Sequence, residues 1–274
     1  MSSETKSQAG VSIIADATSW WGGDVKSRTG RVETNVTVKR HIDLLARSGR
    51  VLAPGAAVLD YGCGDGALAH AYRDEGYDAW GVDIHVAEAP HLVELMPDGR
   101  LPFPDETFDL VVSETVLEHV MGNQEQCFRE IARVLKPGGI ALHLFPPRTA
   151  LIESHTRVPL GSFIQSAGWI GMWARIGVRA THQRGLSARV VGAQNARYLA
   201  ERTNYLSRRH YIRLARRHYA RSAFVERDWL LVSARRPAVK VVARLAKIIV
   251  PIAWAYDALY FRVMLLEKEP SRAR

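Results

Sequence analysis

Apolar and polar residues follow two different patterns along the middle of the chain. Short apolar runs predict four strands, AVLDY (57–61), AWGVDI (79–84), FDLVVS (108–113) and IALHLF (140–145). Between them, apolar residues at helical spacing predict helices in GALAHAYRDEG (66–76) and NQEQCFREIARVLKPGG (123–139). Strands separated by helices of this length predict an α/β fold, with a mostly parallel sheet and helices on both faces.

Outside this alternating region the pattern is mainly helical. Residues 34–48 have helical spacing, whereas residues 148–193 show weak periodicity, and a segment that long more often binds or covers a ligand than merely connects. Residues 223–236 predict the closing antiparallel strands, and residues 239–266 predict a final, mostly apolar helix. The expected division is an N-terminal helical cap (1–54), a sheet core (55–147), an insertion (148–193), basic helices with the closing strands (194–238) and a C-terminal helix (239–274).

Positive charge is concentrated in the last quarter of the chain. Residues 1–201 hold 20 Lys and Arg against 23 Asp and Glu, a net charge of −3, whereas residues 202–274 hold 17 against 5, a net charge of +12. An anionic partner, such as a lipid surface or a nucleic acid, would therefore meet the protein there. The apolar stretch that follows contains Asp257 and Arg262, which a membrane-spanning helix would rarely tolerate. We expect this stretch to lie on an anionic membrane surface or to dock on the protein's own core, with a homodimer interface as a further alternative.

Composition also bears on the compartment. The chain has two cysteines, Cys63 and Cys127, which are too few and too far apart for a disulfide framework. The first residues are polar, so no signal peptide is expected. We therefore expect a cytoplasmic protein that is peripheral on the membrane.

The stretch VLDYGCGDG joins the first strand to a glycine-rich turn. Glycine lacks the Cβ that would keep a ligand away from backbone N–H groups, and such turns bind nucleotides at the carboxyl ends of parallel strands. Gly62, Gly64 and Gly66 are spaced differently from the G-x-G-x-x-G pattern of dinucleotide sites. Asp60, two residues earlier, disfavours a pyrophosphate and favours a positively charged ligand. The turn therefore predicts a site for a nucleotide-like cation.

A second acid, Asp83, follows the glycine turn by about 20 residues, the spacing at which dinucleotide sites place an acid. Asp83 ends the second strand, where a carboxylate can accept hydrogen bonds from both ribose hydroxyls. Four stretches in this order, VLDYGCGDG, GVDI, LPFPDETFDLVVSETVLEHV and REIARVLKPGG, resemble the class I S-adenosylmethionine-dependent methyltransferases, especially the subgroup with small-molecule, lipid and sugar acceptors. The resemblance covers about residues 55–147. It implies a Rossmann-like fold with a seven-stranded sheet whose last strand is antiparallel.

The resemblance also implies S-adenosylmethionine as the cofactor and residues that hold it. The methionine part would be surrounded by Asp60, Gly62, Gly64 and Gly66. Asp83 would bind the ribose, and Ile84 would pack on the adenine. Asp98 is the nearest match to the acid that lies near the adenine amino group in the family, and Glu114 would lie beside the cofactor and its methyl group.

Three residues are candidates for catalysis on the acceptor side. His143 lies near the carboxyl end of the IALHLF strand, and His155 and Glu153 follow in the insertion. A histidine can act as a general base near neutral pH, and Glu153 would contact an acceptor hydroxyl. Ordinary hydrogen bonding is the alternative for each of them, because alignment of acceptor and sulfonium can be enough for methyl transfer.

A metal site is a further alternative. Related quinone-type methyltransferases carry two glutamates and a histidine where this chain has Glu114, Glu118 and His119, although the spacing differs by one residue. The segment is otherwise a common helix of the family. We therefore expect no metal.

We expect an enzyme that methylates a hydroxyl of a glycan, a glycolipid or a lipid-borne metabolite. The long insertion, the basic quarter and the apolar tail favour that acceptor. One alternative is an RNA methyltransferase that uses the basic quarter, although the motif typical of base amino methylation is missing after the FDLVVS strand and nucleic acid is the less favoured partner. Another is a binding module that kept the fold without the activity.

Overall fold

The computed structural model describes residues 29–233 and 261–271, together with positions 241 and 245. Its strands are β1 (Ala57–Tyr61), β2 (Asp78–Asp83), β3 (Leu92–Glu94), β4 (Phe108–Glu114), β5 (Leu135–Phe145), β6 (Arg221–Phe224) and β7 (Arg262–Glu267). Its α-helices are α1 (Thr29–Arg47), α2 (Ala67–Asp74), α3 (Gln124–Val134), α4 (Ala167–Arg175), α5 (Ala188–Arg202), α6 (Arg208–His218) and α7 (Glu226–Ser233). Residues 1–28 of the predicted cap, and residues 239–240, 242–244 and 246–260 of the predicted C-terminal helix, lie outside the described residues.

The strands form one seven-stranded sheet in the order β3-β2-β1-β4-β5-β7-β6. β1 to β5 pair in parallel, and β7 runs antiparallel to both of its neighbours. This arrangement confirms the predicted fold class. The strand order reverses between β1 and β4, and ligands of such sheets bind outside the carboxyl ends of the strands at that point.

Helices cover both faces of the sheet, as the alternating pattern predicted. On one face, α1, α2 and α7 bury Leu45, Tyr72 and Trp229 against the sheet. On the other face, α3 and α6 bury Phe128 and Tyr211. The regular elements of the insertion are helices, and α4 packs against α5, which continues past residue 193, around a small apolar cluster of their own.

Two predictions about the closing strands are wrong. Of the strands predicted over residues 223–236, the described residues 223–233 supply only the end of β6 and then form α7, and the helix predicted over residues 239–266 is replaced at its end by β7. The four central residues of β7 are all buried, because the strand lies between β5 and β6 and both of its faces are covered. A short continuous apolar run of this kind fits a buried strand and a buried helix equally well by pattern.

Smaller differences concern the helix predicted over residues 123–139. α3 ends at Val134, and β5 begins at the next residue. Asn123 precedes the helix, and its side chain donates a hydrogen bond to Oε1 of Gln126. Within the part of the chain that the structure describes, no helix combines the length and the apolar character needed to cross a membrane.

Candidate active site

The glycine turn lies at the carboxyl end of β1, where the strand order reverses. Gly62, Gly64 and Gly66 have φ values of 79°, 54° and 77°, in the left-handed region that favours glycine. A Cβ added at Gly62 would overlap the side chain of Val116, and one added at Gly66 would lie 2.7 Å from Leu92. A Cβ at Gly64 would meet no protein atom within 4 Å. Packing therefore accounts for the first and third glycines, and the middle one faces open space.

Asp83 lies beside this turn, as predicted. Its Oδ2 accepts a 2.8 Å hydrogen bond from the backbone N–H of Gly64, and its Oδ1 accepts one of 2.7 Å from that of Ile84. An ionised carboxylate has about four lone-pair sites, so two remain for ligand hydroxyls. Ile84 is 39% exposed and offers an apolar surface next to the carboxylate.

Asp60 is the buried acid of the site, with 3% of its surface exposed. Burial raises the pKa of its carboxyl well above the usual range, and the negative charges of Glu114 and Asp83 add to the effect. Three acids thus meet at the carboxyl ends of three adjacent strands. A positively charged ligand would relieve their mutual repulsion.

Glu114 ends β4 and contacts a residue that the sequence did not single out. Its Oε1 lies 3.0 Å from Nε2 of His41 on α1, and Nδ1 of His41 lies 2.9 Å from the hydroxyl of Tyr72. His41 is fully buried. The signal was present in the sequence, since His41 is the polar residue on the buried helix face that carries Val38 and Leu45.

Asp98 lies in an exposed turn before β4. Its Oδ1 accepts a 2.9 Å hydrogen bond from the backbone N–H of Arg100, and its carbonyl accepts a bond from Gln126. These contacts hold the turn in place. A role of Asp98 near the adenine stays a prediction.

Comparisons with known proteins agree with this geometry. Residues 59–143 match the methyltransferase domain family. Residues 59–143 therefore form a domain similar to the S-adenosylmethionine-dependent methyltransferases. The predicted family resemblance and the predicted cofactor are thereby confirmed.

Individual relatives cover different shares of the chain. A Mycolicibacterium smegmatis protein named "Probable S-adenosylmethionine-dependent methyltransferase" is 32% identical over 51% of this chain and 62% of its own length. A Synechocystis 2-methyl-6-phytyl-1,4-hydroquinone methyltransferase is 35% identical over 32% of this chain and 31% of its own. The crystal structure of an Archaeoglobus fulgidus S-adenosylmethionine-dependent methyltransferase shares the fold, with a TM-score of 0.50 and 15% identity over 87% of this chain and 95% of that one. This chain therefore spans less than two thirds of the two curated relatives, and the acceptor does not follow from these likenesses.

His143 of the methyltransferase domain lies in the core rather than at an open surface. It is fully buried on β5, and its Nδ1 lies 2.7 Å from the hydroxyl of Ser113. Burial lowers the pKa of its imidazole to about 3, so the ring is neutral at physiological pH. The ring packs against Phe128. The structure therefore gives His143 the environment of a core residue, and its predicted role as a base gains no support.

Glu153 of the insertion is also fully buried, and its carboxylate is occupied by neighbours. It accepts hydrogen bonds from the hydroxyls of Thr156 and Tyr205, at 2.8 and 2.5 Å, and its Oε1 lies 2.8 Å from Nδ1 of His155. Burial alone would raise the pKa of Glu153, but the bonds and charge of His155 and the Tyr205 bond lower it to about 2. The predicted contact with an acceptor hydroxyl finds no free oxygen here. The carboxylate orients His155 instead.

His155 brings the insertion against the domain. Its Nε2 lies 2.9 Å from Nε2 of His119 and 3.9 Å from Oε1 of Glu118. Both partners come from the short 3-10 helix Leu117–His119 that follows β4. Burial raises the pKa of Glu118 to about 8 and lowers that of His119. The sequence singled out all three residues, but it grouped Glu118 and His119 with Glu114, which contacts His41 instead.

Proposed function

We propose that this protein transfers the methyl group of S-adenosylmethionine to a hydroxyl oxygen of a glycan, a glycolipid or a lipid-borne metabolite. The acceptor oxygen attacks the methyl carbon, the carbon–sulfur bond breaks, and S-adenosylhomocysteine leaves. The hydroxyl proton passes to water or to a base. The exposed apolar side chains of the insertion, whose His155 contacts the helix Leu117–His119 after β4, are the observation that carries this choice of acceptor.

The cofactor half of the proposal rests on the three acids at the strand ends. The Asp83 carboxylate would accept the ribose hydroxyls with its two remaining lone-pair sites. Asp60 and Glu114 would face the positive charges of the amino group and the sulfonium. The open space at Gly64 lets the ligand approach the backbone.

The acceptor half rests on the insertion. Nε2 of His155, in the insertion, contacts His119 of the 3-10 helix Leu117–His119. Nδ1 of the same His119 contacts the carbonyl oxygen of Arg202, which lies in the segment after the insertion. The exposed large apolar side chains of the insertion are Leu151, Ile152, Leu160, Phe163, Ile164, Met172, Ile176, Leu186 and Val190. Exposed apolar side chains in this number suit a partner that carries acyl or isoprenoid chains better than they suit nucleic acid.

Charge on α6 supports a peripheral membrane contact. Arg209, Arg213 and Arg216 are exposed on this helix, whose opposite face buries Tyr211 and Leu214 in the core. Anionic headgroups attract such a row of cations. The name of the Synechocystis relative, a methyltransferase of a phytyl-bearing hydroquinone, is compatible with an acceptor that carries both hydroxyls and an apolar chain.

The test is methyl transfer from labelled S-adenosylmethionine into an extract of the source cells, separated into lipid, polysaccharide, small-molecule, RNA and protein fractions. Label in lipid or polysaccharide would support the proposal. Label in RNA would assign the α6 arginines to nucleic acid and overturn the choice of acceptor, and label in protein or in free polar metabolites would also overturn it.

A matched pair of variants controls for contaminating activity. Asp83→Ala removes the predicted ribose carboxylate, and Asp78→Ala removes an exposed carboxylate from the opposite end of the same strand. Transfer should be lost with the first variant and kept with the second. Equal transfer by both would show that the activity does not use this site.

A further inference from the structure

We propose that Glu118, His119 and His155 bind a divalent transition-metal cation of the Zn²⁺ type. One ligand atom from each residue lies within 4.8 Å of the other two. The two Nε2 atoms are 2.9 Å apart, and Nε2 of His155 is 3.9 Å from Oε1 of Glu118. Zn²⁺ binds imidazole nitrogen and carboxylate oxygen at about 2.0–2.2 Å, which separates tetrahedral ligands by roughly 3.4 Å. The observed separations bracket that value.

The hydrogen bonds of the two imidazoles direct both Nε2 atoms at the same place. Nδ1 of His119 lies 2.7 Å from the carbonyl oxygen of Arg202, which can only accept, so this nitrogen carries the proton. Nδ1 of His155 lies 2.8 Å from the Glu153 carboxylate, which is also an acceptor. In neutral rings both Nε2 atoms then present lone pairs to each other at 2.9 Å. A cation between them turns this repulsion into coordination.

Glu118 decides between a cation and a shared proton. It is fully buried, and among the described residues neither of its carboxylate oxygens has a hydrogen-bond partner. A proton between His119 and His155 would leave both oxygens unsatisfied, whereas a cation would take one of them as its third ligand. An unpaired buried carboxylate is costly, and a metal ion is one of the few groups that compensates for it.

The surroundings of the cluster match those of metal-binding histidines. Such histidines almost always donate their second ring N–H to a carboxylate or a backbone carbonyl, and here His155 has Glu153 and His119 has the carbonyl of Arg202. Glu153 is held in turn by Thr156. Orienting a metal ligand, His155, accounts for the buried carboxylate of Glu153, which the predicted contact with an acceptor hydroxyl does not.

The ligand types favour a cation of the Zn²⁺ class over Mg²⁺, because two imidazoles and one carboxylate suit borderline-soft metals. Three protein ligands also leave a coordination position open. If the proposed function holds, that position would bind the acceptor hydroxyl and lower its pKa. The cation would then supply the activation that neither His143 nor Glu153 offers. This role rests on the proposed function, but the binding of the cation does not.

The test uses the untagged chain of 274 residues, stripped with a chelator and titrated with Zn²⁺ alone in a calorimeter. The expected result is one Zn²⁺ per chain. In Glu118→Gln and in His155→Ala the affinity should fall at least about 100-fold, while Glu114→Gln, which lies outside the cluster, should keep it. Titration with Co²⁺ gives a second readout, since four-coordinate Co²⁺ absorbs far more strongly in the visible range than six-coordinate Co²⁺.

Two results would overturn the metal site: no stoichiometric binding by the wild type, or equal affinity in the wild type and Glu118→Gln. Because a ligand variant could unfold, Glu153→Gln is a milder probe that should weaken Zn²⁺ binding about 10- to 100-fold without removing a ligand. Methyl transfer by a protein that binds no Zn²⁺ would refute the site and leave the proposed function intact. Zn²⁺ binding without methyl transfer would support the site and refute the proposed function.

Discussion

Replacing Gly64 with alanine tests whether this glycine is needed for cofactor binding and not only for the positive φ of the turn. Gly64 has a φ of 54°, and an added Cβ would meet nothing within 4 Å. Gly62 is unsuitable for this purpose, because its Cβ would overlap Val116. Gly55 is the matched control: it has a φ of 72°, also has open space around its Cβ, and precedes β1 on the side away from the site.

Both variants place alanine in the left-handed region, which costs about 1 to 2 kcal/mol. For a chain of this size that corresponds to a fall in Tm of about 2 to 8 °C. Only Gly64→Ala should add a methyl group to the space that the cofactor occupies. Overpacking of that kind costs about 1 to 3 kcal/mol, or roughly a 5- to 150-fold increase in Kd.

The assay is calorimetric titration with S-adenosylmethionine, alongside thermal unfolding of each variant. We expect similar losses of Tm in Gly64→Ala and Gly55→Ala, and a weaker affinity only in Gly64→Ala. Equal affinities in the two variants would refute the reasoning that the middle glycine exists for the ligand.

Three further predictions concern stability and the acids of the site. Burial and the neighbouring acids raise the pKa of Asp60, so ionisation of this carboxyl costs stability as the pH rises. Asp60→Asn should therefore raise the Tm of the ligand-free protein at pH 7.5 and weaken binding of the cationic cofactor. A lower Tm with unchanged affinity would contradict this. His41→Ala removes the imidazole that contacts Glu114 and leaves a cavity, so thermal melts should show a loss of about 1 to 3 kcal/mol, and calorimetry should show weaker cofactor binding. Arg133 donates a 2.8 Å hydrogen bond to Glu130 and lowers the pKa of this carboxyl, although burial raises it. The free energy of unfolding of the wild type should therefore fall as the pH drops below the ordinary pKa of glutamate. Arg133→Met should be less stable at pH 7, and its free energy of unfolding should change less between pH 7 and acid pH.

β1, β2, β4 and β5 could be predicted from the sequence, whereas β3 and β7 could not. β1, β2, β4 and β5 are apolar runs bounded by turns and separated by helical segments, so pattern alone identifies them. β3 has only three residues, and β7 is separated along the chain from its neighbour β5 by several helices, including α6 and α7. Nothing local distinguishes the β7 run from a buried helix. The pairing of β7 with β5 decides its structure.

The cofactor side of the site could also be predicted, for a related reason. Asp83 ends β2, and Gly64 lies in the turn after the neighbouring parallel strand β1. Because the carboxyl ends of these strands meet at one edge of the sheet, their contact follows from the strand order. The contact of His155 with His119 depends on how the insertion folds back, and no periodicity encodes that. Tyr205 was missed for the same reason, since it meets Glu153 from a segment some 50 residues away.

The most direct test of the account is a calorimetric titration of S-adenosylmethionine into the wild type, Asp83→Ala and Asp78→Ala. We predict one binding site per chain in the wild type and in Asp78→Ala. In Asp83→Ala the affinity should fall at least about tenfold, since hydrogen bonds to a charged group contribute about 1.5 to 3 kcal/mol each. Failure of the wild type to bind, or equal affinity in all three proteins, would contradict the claim that the glycine turn and Asp83 hold the cofactor.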